Sequence, residues 1–194
     1  MRLRGASAPA DWLIVGLGNP GSRYAGTRHN IGFDVAEALI ERWDLGKPKK
    51  KFNGLLAEGR VGVGADAPRV AVLLPQTYMN ETGRSVGPAR GAFKVELDRV
   101  LVLHDEIDLP FADIRARLGG GLAGHNGLKS LKAHLGSPDF ARIRIGVGRP
   151  DSTDPEIVSS WVLGRFSEPS ADVRDLVDRS RDIAEDLVLG RTTL

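Results

Sequence analysis

The sequence contains no cysteine. Disulfide staples, thiolate nucleophiles and cysteine-ligated zinc are thereby excluded. An excess of charge of one sign is also missing: 27 Lys and Arg stand against 25 Asp and Glu, a net +2. That sum is too small to argue for a polyanionic partner. Long apolar runs are absent as well. Arg2 and Arg4 are followed by no apolar h-region, and the first apolar stretch, Trp12–Leu17, is already broken by Gly16. No signal peptide is readable and nothing approaches bilayer length, so a cytoplasmic protein with no membrane partner is expected.

What is present suits one soluble globule. The chain has 194 residues, 41% hydrophobic and 27% charged. A chain of that length buries roughly 70% of its unfolded surface without staples. Residues 1–194 read as a single domain, with 1–10 as a flexible N-terminal extension. Four apolar runs predict buried strands: Trp12–Leu17, Val70–Leu74, Arg99–His104 and Arg142–Val147. Helical spacing predicts helices over Ile31–Trp43, Gly127–Leu135 and Ala171–Leu189, the last stopped by Gly190. Lys47–Lys51 reads as a basic loop and Val61–Pro68 as a hairpin connection. The alternation predicts an α/β fold with a mixed, twisted central sheet and helices on both faces.

Ligands of such sheets gather outside the carboxyl ends of the strands. Those ends read Gly16–Gly21, Pro75–Asn80, His104–Asp108 and Gly146–Pro150, with Asn, His and Asp concentrated among them. Gly16, Gly18 and Gly21 spell the dinucleotide fingerprint G-x-G-x-x-G after a strand. That motif needs a helix opening within the glycines, whereas Pro20 sits among them and the helical stripe begins only at Ile31. No ribose-binding acid follows at the usual offset. A nicotinamide enzyme is rejected, and the glycines are assigned to tight turning and close packing.

Of four histidines, His134 lies among lysines on a helix and reads as surface. His104 alternates with Asp105 on a strand and faces the other way. His125 precedes a helix, where it suits a structural hydrogen bond. His29 lies between a polar loop and a helix start, where its ring can face a cleft. Asp105, Glu106 and Asp108 make an acidic strand end: a solvated turn, a Mg²⁺ site, or a carboxylate partner for His29. In the last case the carboxylate fixes one ring nitrogen and leaves the other to take a proton from water at neutral pH, with no metal or cofactor. Asn19, Asn80 and Asn126 then supply amide donors to a peptide or an oxyanion. Between Arg115 and Arg149 the cations Arg115, Arg117, Lys129, Lys132, Arg142, Arg144 and Arg149 are opposed only by Asp139.

These stretches resemble the bacterial-type peptidyl-tRNA hydrolase family. They are Val15-Gly16-Leu17-Gly18-Asn19-Pro20-Gly21 with Tyr24 and Thr27–Gly32; Pro75–Asn80 with Gly83; His104–Pro110; and Gly119–Gly121 followed by Gly124–Ser130. The resemblance implies hydrolysis of the ester between peptide and tRNA, in translation and ribosome rescue, by a cofactor-free monomer with no obligatory protein partner. By that resemblance His29 is the catalytic base and Asp105 its supporting acid. Asn19, Tyr24, Tyr78, Met79, Asn80 and Asn126 match substrate-binding positions, and Arg117 and Arg144 match those that grip the tRNA 5′-phosphate. Leu74 before Pro75 and Leu122-Ala123 before Gly124 depart from the family pattern. A competing expectation is an RNA-binding relative without turnover.

Overall fold

The computed structural model describes residues 6–194. Seven strands form one sheet in the order β2-β3-β4-β1-β5-β7-β6. They are β1 Trp12–Gly16, β2 Lys49–Lys51, β3 Gly54–Arg60, β4 Arg69–Pro75, β5 Val100–Glu106, β6 Ile114–Leu118 and β7 Ala141–Gly146. The four central strands β4, β1, β5 and β7 are parallel, and β2, β3 and β6 add antiparallel edges. The expected mixed sheet with helices on both faces is what forms.

The central strands are apolar nearly throughout because both their faces are covered. Their alternation divides the core. Ile14, Val72, Leu101 and Ile143 pack with helices α1 (Ile31–Arg42) and α5 (Ser170–Val188). Leu13, Val15, Leu73 and Val102 pack on the other face with α2 (Gly83–Phe93) and α3 (Asn126–Leu135). A further helix, α4 (Pro155–Val162), contributes no buried residue.

Several elements depart from the sequence reading. Lys49–Lys51 is not loop but the edge strand β2, paired with β3 through Lys49–Leu56 and Lys51–Gly54. Exposed lysines carry little strand signal, yet they suit an edge that must not recruit another sheet. Helix α2 is not legible in the sequence because Gly83, Gly87, Pro88 and Gly91 lie within or at the ends of its span and weaken helical propensity. Strand β5 runs two residues past His104, so Asp105 and Glu106 stand on a rigid strand rather than in a turn. The Val61–Pro68 connection does join an antiparallel pair, β3 and β4. Of the N-terminal segment, residues 1–5 lie outside the described chain. Ala10 already packs on the core, its N–H donating to the Phe93 carbonyl at 3.0 Å.

The glycines after β1 are packing devices. A Cβ on Gly16 would strike the Gly32 carbonyl and lie 2.7 Å from the Ala36 Cβ; one on Gly18 would enter the Phe33 ring. A Cβ on Gly32 would strike the Leu103 carbonyl and the backbone of Leu17. Helix α1 can therefore seat directly on the ends of β1 and β5. Gly32→Ala is expected to cost about 3 kcal/mol or more, since rigid backbone atoms cannot yield as side chains do. Thermal unfolding measures this, and an unchanged midpoint would contradict so close a seat.

Candidate active site

Four chain segments converge at the carboxyl edge of the parallel strands. The turn Arg28–Asn30 leads into α1 and carries His29. Asn19 follows β1. Its N–H donates to Asn30 Oδ1 and its carbonyl accepts from Asn30 Nδ2, both at 2.9 Å. Its Oδ1 accepts the Met79 N–H at 2.8 Å, which assigns the orientation of the amide and leaves its NH₂ as the free donor. Asn19→Asp should keep the bond to Met79 while removing that donor. Folding stability near the wild-type value, with KM for the substrate raised, is the expected outcome, checked by denaturant titration and kinetics.

Asp105, on β5, is shared by two imidazoles. His29 Nδ1 meets its Oδ2 at 2.9 Å and His125 Nε2 meets its Oδ1 at 2.8 Å. His125 caps α3, its Nδ1 accepting the N–H groups of Gly127 at 3.1 Å and Leu128 at 3.4 Å. An acceptor nitrogen carries no proton, so the proton of neutral His125 must lie on Nε2, directed at Asp105. The other carboxylate oxygen takes the Nδ1 proton of His29, leaving His29 Nε2 with a lone pair. Sequence reasoning places His125 as a structural hydrogen-bond partner but not as a second grip on Asp105. Its signal is a helix-capping position directly before Asn126-Gly127.

Electrostatics follow from this sharing. Burial alone would disfavour the His29 imidazolium, but the charge and hydrogen bond of Asp105 outweigh it and raise the pKa above its ordinary value. Burial would push the Asp105 carboxyl up; the two imidazoles more than reverse this and hold it below the usual carboxylate range. His104 is different. Burial first, then the neighbouring His125, push it down to about 3. It stays neutral with its Nδ1 on the Asp105 carbonyl at 2.8 Å.

The ligating atoms of His29, Asp105 and His125 lie within 4.8 Å of one another, close enough to test as a cation site. The donor chemistry does not fit. His125 Nε2 carries a proton because its other nitrogen is occupied by helix amides, and a protonated nitrogen is no ligand.

His29, 9% exposed, opens into a groove of about 470 Å³. Asn19, Tyr78, Met79, Asn80, Asp105 and Asn126 line it. So do Glu106, Ile107 and Lys129, together with one face of α4. Tyr78 is 59% exposed at its rim. Tyr24 is not among the lining residues; it lies on the loop after β1 with the Arg23 guanidinium 5.5 Å from its ring.

The arginines of β6 and β7 divide by role. Arg142 is 1% exposed and donates to the carbonyls of Gly121, Gly120 and Pro138 at 2.6, 3.1 and 2.7 Å. It anchors the glycine loop rather than forming a surface cation. Burial, then repulsion from Arg117 and Arg144, lowers its pKa to about 10. Arg117 is exposed and lies against Gly120. Arg144 is half-buried, its Nε donating to Glu106 Oε1 at 2.8 Å.

A mixed-sheet α/β domain whose strand ends gather an imidazole with a free nitrogen, a buried carboxylate and amide side chains defines a class of protein equipped to activate water. The chain belongs to the peptidyl-tRNA hydrolase family: residues 13–193 match the family model of that description. It is 47% identical over 174 residues to the peptidyl-tRNA hydrolase of Halalkalibacterium halodurans, covering 89% of this chain and 91% of that one. It is 49% identical over 169 residues to that of Prochlorococcus marinus, covering 85% and 80%. The solved peptidyl-tRNA hydrolase of Acinetobacter baumannii is 40% identical with a TM-score of 0.80, covering 96% of this chain and 93% of that one.

Proposed function

We propose that this chain hydrolyses the ester between a peptide and its tRNA, with His29 as general base and without a metal or cofactor. The observation that carries the reading is the free Nε2 of His29, left unprotonated by the Nδ1–Asp105 bond and facing an amide-rimmed groove. His29 takes a proton from water as the oxygen attacks the ester carbonyl, and the imidazolium that forms is stabilised by Asp105. The tetrahedral intermediate collapses with release of the ribose hydroxyl, which receives the proton. NH₂ groups of Asn19, Asn80 and Asn126 supply donors for the peptide main chain or the oxyanion. Tyr78 and the backbone of Met79 border the peptide, and Tyr24 lies beyond the groove, where only a longer substrate would reach it.

Arg117 and the outer edge of Arg144 supply phosphate contacts for the tRNA, as guanidinium forks suit. The chain then acts as a cytoplasmic monomer. Among the described residues no helix is long and apolar enough to cross a membrane. An RNA-binding relative without turnover would have no use for a poised imidazole. Release of tRNA from N-acetyl-aminoacyl-tRNA, but not from the unblocked form, tests the reading; equal cleavage of both, or of neither, refutes it.

The raised pKa of His29 sets a pH dependence. The base works only when neutral, so kcat/KM should rise with pH through an apparent pKa above ~6.5, the unperturbed imidazole value. The stabilisation from the His29–Asp105 pair has the opposite trend: complete below the unfolded pKa, lost as pH rises through the folded one. A pH–rate profile with its limb below that value would show that Asp105 does not poise His29.

A further inference from the structure

Helix α4 walls the groove with Pro155, Val158, Ser159 and Val162, and Leu163 follows at its end. Eight residues are too few to hold a helix in water by themselves, and none of these is buried. Its position must come from ties to the rest of the molecule. One residue supplies three of them. The Arg28 guanidinium lies 3.6 Å over the Trp161 ring, and its Nη1 donates to the Trp161 carbonyl at 3.0 Å. Its backbone N–H donates to the Gly164 carbonyl, also at 3.0 Å. Arg28 is 4% exposed, so this stack is desolvated and correspondingly strong. Trp161 Nε1 adds a bond to the Gly148 carbonyl at 2.9 Å.

Arg28 is also the residue before His29, in the same short turn. Beside its amide side chains the groove is lined with hydrocarbon, from Val158, Val162 and Leu163 on the α4 side and from Ile107. A substrate whose main chain is held by the amides has that hydrocarbon available to an apolar side chain.

We propose that Arg28 is a positioning residue that clamps α4 beside His29, and that the wall so held receives an apolar side chain of the esterified acyl residue. The proposal rests on the peptidyl-ester reading above. It makes α4 the surface that favours aliphatic over glycyl esters, and Arg28 the group that keeps that preference.

The test compares N-acetyl-leucyl-tRNA with N-acetyl-glycyl-tRNA on the wild type, on Arg28→Lys and on Val158→Ser/Val162→Ser. Amide hydrogen exchange over residues 155–163 is followed in parallel. Lysine keeps the charge but loses the flat stack and the fork. The wild type should show a KM at least about tenfold lower for the leucyl ester, the lower end of what one methylene contributes in an apolar pocket. Arg28→Lys should speed exchange in α4 alone and abolish that preference by raising the leucyl KM. The serine pair should abolish it through the wall itself. If Arg28→Lys does not fold, Trp161→Leu removes the same stack from the α4 side.

No leucyl preference in the wild type overturns the proposal, as does unchanged α4 exchange in the clamp variants or faster exchange with the preference intact. Failure of the wild type to cleave either ester overturns the functional reading instead, and the exchange measurement still decides whether the clamp exists.

Discussion

Alanine at position 29 should lower the turnover of N-acetyl-aminoacyl-tRNA by about two to four orders of magnitude, the range for loss of a positioned general base. Binding of tRNA should stay near its wild-type value. The separation is expected because the basic face on β6 and β7 is built from different residues, with Arg144 held by Glu106 and not by His29. Folding should survive. The lost side chain opens onto the groove, where water can enter, and Asp105 keeps its bond to His125. Single-turnover release together with filter binding measures both quantities. Release within tenfold of the wild-type rate would remove His29 from the chemistry.

Asparagine at position 105 should be nearly as damaging, for a reason set by tautomers rather than by charge alone. His125 is locked with its proton on Nε2 because helix amides occupy Nδ1. In Asp105→Asn the new side chain must therefore turn its single carbonyl oxygen toward His125 and its NH₂ toward His29. His29 would have to accept that hydrogen bond at Nδ1 and move its proton to Nε2, the nitrogen that faces the groove. The base is then lost although the ring has not moved. An aspartate-to-asparagine change behind a catalytic histidine costs about 10⁴-fold in kcat in serine proteases, where the wrong tautomer is also the cause. Kinetics and the ¹⁵N shifts of the imidazoles test this together: Asp105→Asn should show His29 protonated at Nε2. A variant that kept both its activity and the Nδ1–H tautomer would break the argument. Pairing Asp105→Asn with His125→Ala frees the asparagine to turn its oxygen toward His29 and should recover part of the activity.

Much of this site can be read from residue order. The apolar runs of β1, β4, β5 and β7 are legible because strands buried on both faces admit few polar residues over their length. Strand ends in such a sheet collect ligands, so Asn19, Asn80 and Asp105 stand out where the runs stop, while His29 and Asn126 stand at helix starts. Elements with a weak local signal stay hidden. Glycine-rich α2 has low propensity, lysine-rich β2 has the wrong composition for a strand, and α4 buries nothing from which a period could be read. Arg142 illustrates the limit at one residue. Among the cations of the sequence it counts toward a basic face, yet in the fold its guanidinium is sealed beneath the glycine loop by three carbonyl groups.

The chain's order of residues determined the layers, the parallel core and the chemical types available at the strand ends, because periodicity and the cost of burying polar groups act locally. Only tertiary structure decided that one carboxylate serves two imidazoles, which nitrogen of His29 is free, and that Arg28 joins α4 to the turn that carries His29. Those outcomes depend on contacts between residues as far apart as 28 and 161 or 29 and 105, brought together by strand order and by helix α1 seating on glycine.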